Sequence, residues 1–199
     1  MNAARARRGA WRVARRVAVG LSLAAAATAC GGGSDGARMT VAVGAPVPAY
    51  SAQLTDGTPV SLAEQTGDVV LLNIWATWCK PCRFEMPALD SLQQRYGGDG
   101  FRVLGVSIDA DGDRAKVSEY AAALGARYAI WYDPDDRVST TFLALGVPAS
   151  YLIGRDGTLR WRHVGPVTAD DGGLNAAIKV ALAEADSTSA ASASAPPVR

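Results

Sequence analysis

The run Val69-Val70-Leu71-Leu72-Asn73-Ile74-Trp75 is almost unbroken in its apolar character. A half-buried strand alternates apolar and polar residues, so a continuous run of this length marks a strand covered on both faces, the central strand of a layered sheet. A helical pattern comes next. Ala76-Thr77-Trp78-Cys79 breaks the run, and Phe84, Met86, Leu89, Leu92 and Tyr96 then fall at mixed three- and four-residue spacing, as on the apolar face of a helix. Pro87 lies inside that pattern, where its missing N–H and its ring are expected to kink the helix. Gly97-Gly98 end it.

The alternation continues with a strand over 101–108, a helix over 113–124, a short strand over 129–132 and a short helix over 138–145 stopped by Gly146. Strands over 150–153 and 158–163, joined at Arg155-Asp156-Gly157, and a helix over 174–182 close the pattern. Ahead of the central strand, extended runs at 49–54 and 59–62 flank Thr55-Asp56-Gly57-Thr58, whose Asp-Gly favours a tight hairpin turn. This order implies an α/β sandwich of three layers, a mixed sheet with helices on both faces and a small antiparallel hairpin in front.

The two ends of the 199-residue chain read differently. Residues 1–29 carry six arginines and no acid, and without them 14 basic residues face 19 acidic ones. A mildly acidic body offers no cationic face to phosphate, which argues against a nucleic-acid partner. The uncharged run 17–29 is too short to cross a hydrocarbon core of about 30 Å, so residues 1–29 read as an export signal. Ala27-Thr28-Ala29-Cys30-Gly31 resembles a bacterial lipobox, with Ala27 where leucine is usual. On that reading Cys30 is acylated and holds the mature chain to a membrane; the alternative is a signal cut nearby, leaving a spare thiol. Residues 30–38 contain Gly31-Gly32-Gly33-Ser34-Asp35-Gly36, a flexible tether, and residues 186–199 are a Ser/Ala/Pro-rich tail expected to be disordered. One domain over 39–185 remains, a size typical of a single core.

Cys79 and Cys82 are separated by two residues, a spacing shared by redox pairs and by half of a zinc site. Zinc needs two further ligands, and the chain offers only Cys30 and its single histidine, His163, so no metal site is expected. The pair sits where a buried strand gives way to a helix. There Cys79 would cap the helix, and the free N–H groups and dipole of the first turn would stabilise a thiolate. Such settings lower a cysteine pKa from about 8.5 into a range of roughly 3.5–7.5. Pro81 suits the first turn, where a missing N–H costs little, and Lys80 adds local positive charge. Cys82 lies one turn on, within reach of a disulfide. The chemistry this suggests is exchange: Cys79 attacks a substrate disulfide, and Cys82 resolves the mixed disulfide. The redox-active disulfide takes the place of any cofactor.

The run Asn73-Ile74-Trp75-Ala76-Thr77-Trp78-Cys79-Lys80-Pro81-Cys82-Arg83-Phe84-Glu85-Met86-Pro87 resembles the TlpA/ResA group of thioredoxin-fold, exported thiol-disulfide oxidoreductases in the AhpC/TSA-redoxin superfamily. Gly146-Val147-Pro148-Ala149-Ser150 and Val43-Gly44-Ala45-Pro46 carry the same resemblance. It implies a cis peptide bond before Pro148 and a substrate groove formed by Trp78, Val147 and Pro148; the sequence by itself also allows a trans loop proline. It implies further that Glu85, three residues after Cys82, tunes the thiols together with Lys80 and Pro81. Helix geometry puts Glu85 on the side of Cys82, while a solvated surface glutamate is the plain alternative. Asn73 stands where thioredoxin has a buried aspartate, which removes a titrating group beneath the pair. Trp75 is expected in the core, and His163 is expected to be structural.

The partners implied are disulfide-containing exported proteins, apocytochrome c among them, and a membrane electron donor of CcdA or DsbD type. Two rivals differ in residues. A peroxiredoxin needs a threonine three residues before its cysteine, and Ala76 stands there. A Sco-type copper protein needs a wider cysteine spacing and a placed histidine. Reductant is favoured over oxidant by the resemblance alone.

Overall fold

The computed structural model describes residues 41–193. The segment read as export signal, Cys30 and the whole tether lie outside the described residues, as does the end of the tail. β3 (Val69–Trp75) is buried at every position. It runs parallel to β4 (Phe101–Ser107), with Trp75 opposite Ser107, and antiparallel to β6 (Ala149–Ile153), with Ile74 opposite Ala149. β4 in turn pairs in parallel with β5 (Ala129–Tyr132). Antiparallel strands complete both sides: β1 (Ser51–Leu54) beside β5, β2 (Pro59–Ser61) beside β1, and β7 (Leu159–Val164) beside β6. The seven strands lie in the order β2-β1-β5-β4-β3-β6-β7.

Alternation along β3 divides the core in two, because successive side chains of a strand point to opposite faces. Val69, Leu71 and Trp75 meet Met86, Leu89 and Leu92 of α1 (Lys80–Tyr96), Val117 and Ala121 of α2 (Arg114–Ala123), and Leu174 and Ile178 of α4 (Gly172–Ala193). Val70, Leu72 and Ile74 meet Val138 and Phe142 of α3 (Arg137–Phe142), Tyr50 and Trp131. The mixed sheet is thus sandwiched between helices, and the C-terminal ends of parallel β3 and β4 face one edge of the molecule together.

Three local expectations need correction. Phe84 does not belong to the apolar stripe of α1: it is 73% exposed, while Cys82, Glu85, Met86, Leu89, Asp90, Leu92 and Tyr96 are buried. Met86, Leu89, Leu92 and Tyr96 are buried as read, but hydropathy alone added Phe84 to the stripe and missed its two carboxylates. α1 continues through Pro87, and the Ser91 hydroxyl donates to the Pro87 carbonyl at 2.8 Å. α3 ends at Phe142, well before Gly146, because Leu143 takes a left-handed conformation at φ 52° and the Ala144 N–H turns back to the Ser139 carbonyl. A left-handed residue of this kind closes a helix even when it is not glycine. α4 runs through Ala193, beyond the helix end read at residue 182, since alanine in this stretch favours helix.

Candidate active site

Cys79 and Cys82 are joined in a disulfide, with Cα atoms 5.3 Å apart. Cys79 is the N-cap of α1, in extended conformation, and its Sγ accepts the Cys82 backbone N–H at 3.2 Å. One of the orphan donors of the helix start therefore points at this sulfur, and the positive end of the dipole lies beside it. Lys80 and Pro81 fill the first two helical positions, both exposed. Cys79 retains 3% of its accessible surface and Cys82 none, so only Cys79 can be approached from outside. Trp78, immediately before it, is 65% exposed.

β6 brings the second part of the site. In the register that sets Ile74 against Ala149, Pro148 falls level with Trp75 at the end of β3, where the turn to Cys79 begins. The Val147–Pro148 peptide bond is cis, so the trans alternative falls. Val147 packs against both apolar layers, and the Pro148 carbonyl accepts the Gly165 N–H at 2.8 Å. Trp78, Cys79, Val147 and Pro148 are thus collected at one end of the sheet.

Beneath the disulfide lies a polar group in an apolar layer. Glu85 is only 1% exposed, which excludes the solvated surface reading. Its Oε1 accepts from Asn73 Nδ2 at 2.8 Å and its Oε2 from the Val167 N–H at 3.0 Å. Asn73 Nδ2 also donates to Ser150 Oγ at 3.0 Å. Burial pushes the Glu85 carboxyl up from 4.5 to about 7, against the opposing pull of the Asn73 and Val167 hydrogen bonds. The titrating group therefore comes from the helix, and the strand position holds its amide partner. Ser150 stands in the Gly146–Ser150 motif but was given no role from sequence, and Val167 was not singled out at all. Nothing local marks Val167, since it takes part through its backbone.

A second polar cluster holds the turn before the disulfide. Asp109, fully buried just beyond β4, accepts from the Thr77 N–H at 2.9 Å, the Thr77 hydroxyl at 2.5 Å and the Ser107 hydroxyl at 2.8 Å. The Thr77 proton is committed to Asp109 and is not offered to Cys79. Trp75 is in the core, stacked on Tyr120 with ring centroids 6.2 Å apart. His163 is exposed on β7 and stacks on Trp161. Among the described residues no group of three or more His, Cys, Asp or Glu side chains could hold a metal ion, and no helix is long and apolar enough to cross a membrane.

A CxxC disulfide at the N-terminus of a helix following the central parallel strand, opposite a cis-proline, defines a thiol-disulfide oxidoreductase of thioredoxin-like fold. Residues 43–162 match the AhpC/TSA family, and the chain belongs to that family. It is 33% identical over 126 residues to the thioredoxin-like protein YneN of Bacillus subtilis, covering 63% of this chain and 73% of that protein. To the thiol-disulfide oxidoreductase ResA of Geobacillus thermodenitrificans it is 30% identical over 134 residues, 67% of this chain and 76% of the relative. A solved Chlorobium tepidum structure, of a protein assigned as the thiol:disulfide interchange protein DsbE, superposes with a TM-score of 0.65 at 31% identity, over 72% of this chain and 99% of that one.

Proposed function

We propose that this chain is an exported, lipid-anchored reductant of protein disulfides, with Cys79 the nucleophile and Cys82 the resolving thiol. The observation that carries the reading is the Cys79 sulfur at the N-cap of α1, the less buried of the two and the acceptor of the Cys82 N–H. In the reduced protein the same donor and the helix dipole favour a Cys79 thiolate. That thiolate forms a bond to one sulfur of the substrate disulfide, and the other substrate sulfur leaves and takes up a proton. Cys82 then gives up its proton and attacks Cys79 Sγ. The Cys79–substrate bond breaks, the second substrate thiol is released, and the substrate has gained two electrons and two protons.

Glu85, one turn beyond Cys82 on α1 and held near neutrality by burial, is suited to receive and return the Cys82 proton. Lys80 adds positive charge at the helix start, and Pro81 fixes its first turn. Trp78, Val147 and Pro148 form the wall against which an extended substrate segment lies. Cys30 is the lipidation site, and the cell envelope the place of action. The resemblance to TlpA and ResA proteins supports apocytochrome c as a substrate and a membrane dithiol donor of CcdA or DsbD type as the source of the two electrons.

Thiol peroxidase activity is the weaker reading, because Ala76 stands where a peroxidase needs threonine and the Thr77 hydroxyl is bound to Asp109. Copper delivery of Sco type has no ligand cluster to support it among the described residues. The test is the equilibrium reduction potential of the Cys79–Cys82 couple. A value near about −270 mV agrees with a reductant, and one near about −120 mV would make the protein an oxidant.

A further inference from the structure

Asp109 is a fully buried carboxylate that takes part in no ion pair among the described residues. A charge in such a place is costly unless hydrogen bonds satisfy it, and its hydrogen-bond partners are informative. Two of its three donors belong to one residue, Thr77, which gives both its N–H and its hydroxyl; the third is the Ser107 hydroxyl. Thr77 lies in the turn between β3 and α1, two residues before Cys79. Within that turn the Cys79 N–H also donates to the Ala76 carbonyl at 3.1 Å. Asp109 itself stands on a fixed support. The Ile108 N–H continues the β3–β4 ladder to the Trp75 carbonyl at 3.0 Å, and the Tyr132 hydroxyl donates to the Ala110 carbonyl on the other side.

We propose that Asp109 is a positioning residue for disulfide exchange: by gripping Thr77 through both donors it holds the 76–79 turn, and with it the Cys79 sulfur, where the Cys82 N–H can reach it. The inference rests on Cys79 being the nucleophile and adds the device that orients it. The exposed Trp78, between clamp and sulfur, has no hydrogen bond of its own among the described residues, so Asp109 sets the rim of the site as well. An aspartate suits the task because two oxygens on a short side chain can take two donors of one residue at once, and charged acceptors make the stronger hydrogen bonds.

The clamp and the bare charge of Asp109 act on Cys79 in opposite senses. Losing the clamp loosens the N-cap and destabilises the thiolate, whereas losing a nearby negative charge by itself stabilises it. The experiment is the pH profile of Cys79 alkylation by iodoacetamide in the full-length reduced protein, for wild type, Thr77→Val, Thr77→Ser and Asp109→Asn, with melting temperatures alongside. Thr77→Val is expected to move the midpoint upward by about one pH unit and to slow alkylation at pH below it roughly tenfold. Thr77→Ser, which keeps both donors, recovers what Thr77→Val loses. Asp109→Asn also moves the midpoint upward. A wild-type profile in Thr77→Val, with only its melting temperature lowered, would reduce the cluster to a structural role and overturn the proposal. So would a downward midpoint in Asp109→Asn, which would show that the charge outweighs the clamp and that the clamp does not set the thiolate. Should Thr77→Val fail to fold, the sign of the Asp109→Asn shift decides. Turnover of a protein disulfide by the wild type reads the proposed function separately, since alkylation reports the clamp whether or not turnover occurs.

Discussion

A carboxyl group under an apolar layer must find donors or keep its proton, and Glu85 is balanced between the two. Its ordinary 4.5 is raised to about 7 in the folded protein. The folded state therefore binds this proton more tightly than the unfolded chain does. The stabilisation is fully present below about pH 4.5 and is lost as pH rises through about 7, on the order of 3 kcal/mol across that window. Urea denaturation from pH 4.5 to 8 should show the wild type losing stability with pH relative to Glu85→Gln, which has no proton to release; parallel curves would contradict the burial argument. Gly105 is a second such position. It pairs with Asn73 across β3 and β4, and a Cβ there would lie 3.0 Å from Tyr128 Cε2 and 3.1 Å from Trp75 Nε1. Both are ring atoms packed in the core, so Gly105→Ala should lower stability by about 1–3 kcal/mol, measurable by thermal unfolding. The helical offset from Cys82 already placed Glu85 on the right side of α1. Its bond to the Val167 N–H, between residues 82 apart in the chain, has no sequence signal.

Among the elements, β3 was the most legible, because a strand covered on both faces writes its burial directly into its composition. α1 was legible as a helix, and its buried face was legible in its apolar members Met86, Leu89, Leu92 and Tyr96 but not in its acidic ones. Glu85 and Asp90 lie in the buried stripe, Asp90 because Arg127 reaches it with two hydrogen-bond donors and a backbone N–H. Phe84 took their place in the hydropathy pattern and is in fact outside it. α3 was read too long because a left-handed leucine, not the later glycine, ends it. The elements also divide the work. α3 packs only on the face of the sheet away from Cys79 and Cys82, through Val138 and Phe142. Phe142→Ala should therefore destabilise the protein by about 3–5 kcal/mol, while the reduction potential of the surviving folded protein stays at the wild-type value. A shifted potential would mean that the two apolar layers are coupled more closely than their separation by the sheet allows.

Across the whole molecule, the alternation of strand and helix defined the sandwich, and the position of the cysteine pair at a strand-to-helix junction defined the chemistry. Long-range pairing had to be seen: that β6 sets Pro148 level with the end of β3, and that Asp109 grips Thr77, follow from register and not from local pattern. A substitution near the far end of the chain tests how far the domain depends on α4. The buried residues of α4 among the described side chains are Leu174, Ile178 and Ala181, so Ile178→Ala should destabilise the protein by about 2–5 kcal/mol, measurable by thermal unfolding. The central claim is that Cys79 attacks and Cys82 resolves. It is tested most directly by exposing reduced Cys82→Ser and Cys79→Ser proteins to a peptide disulfide and identifying the adducts by mass spectrometry. The account predicts a stable mixed disulfide on Cys79 in Cys82→Ser and little or none on Cys82 in Cys79→Ser; the reverse pattern would contradict it.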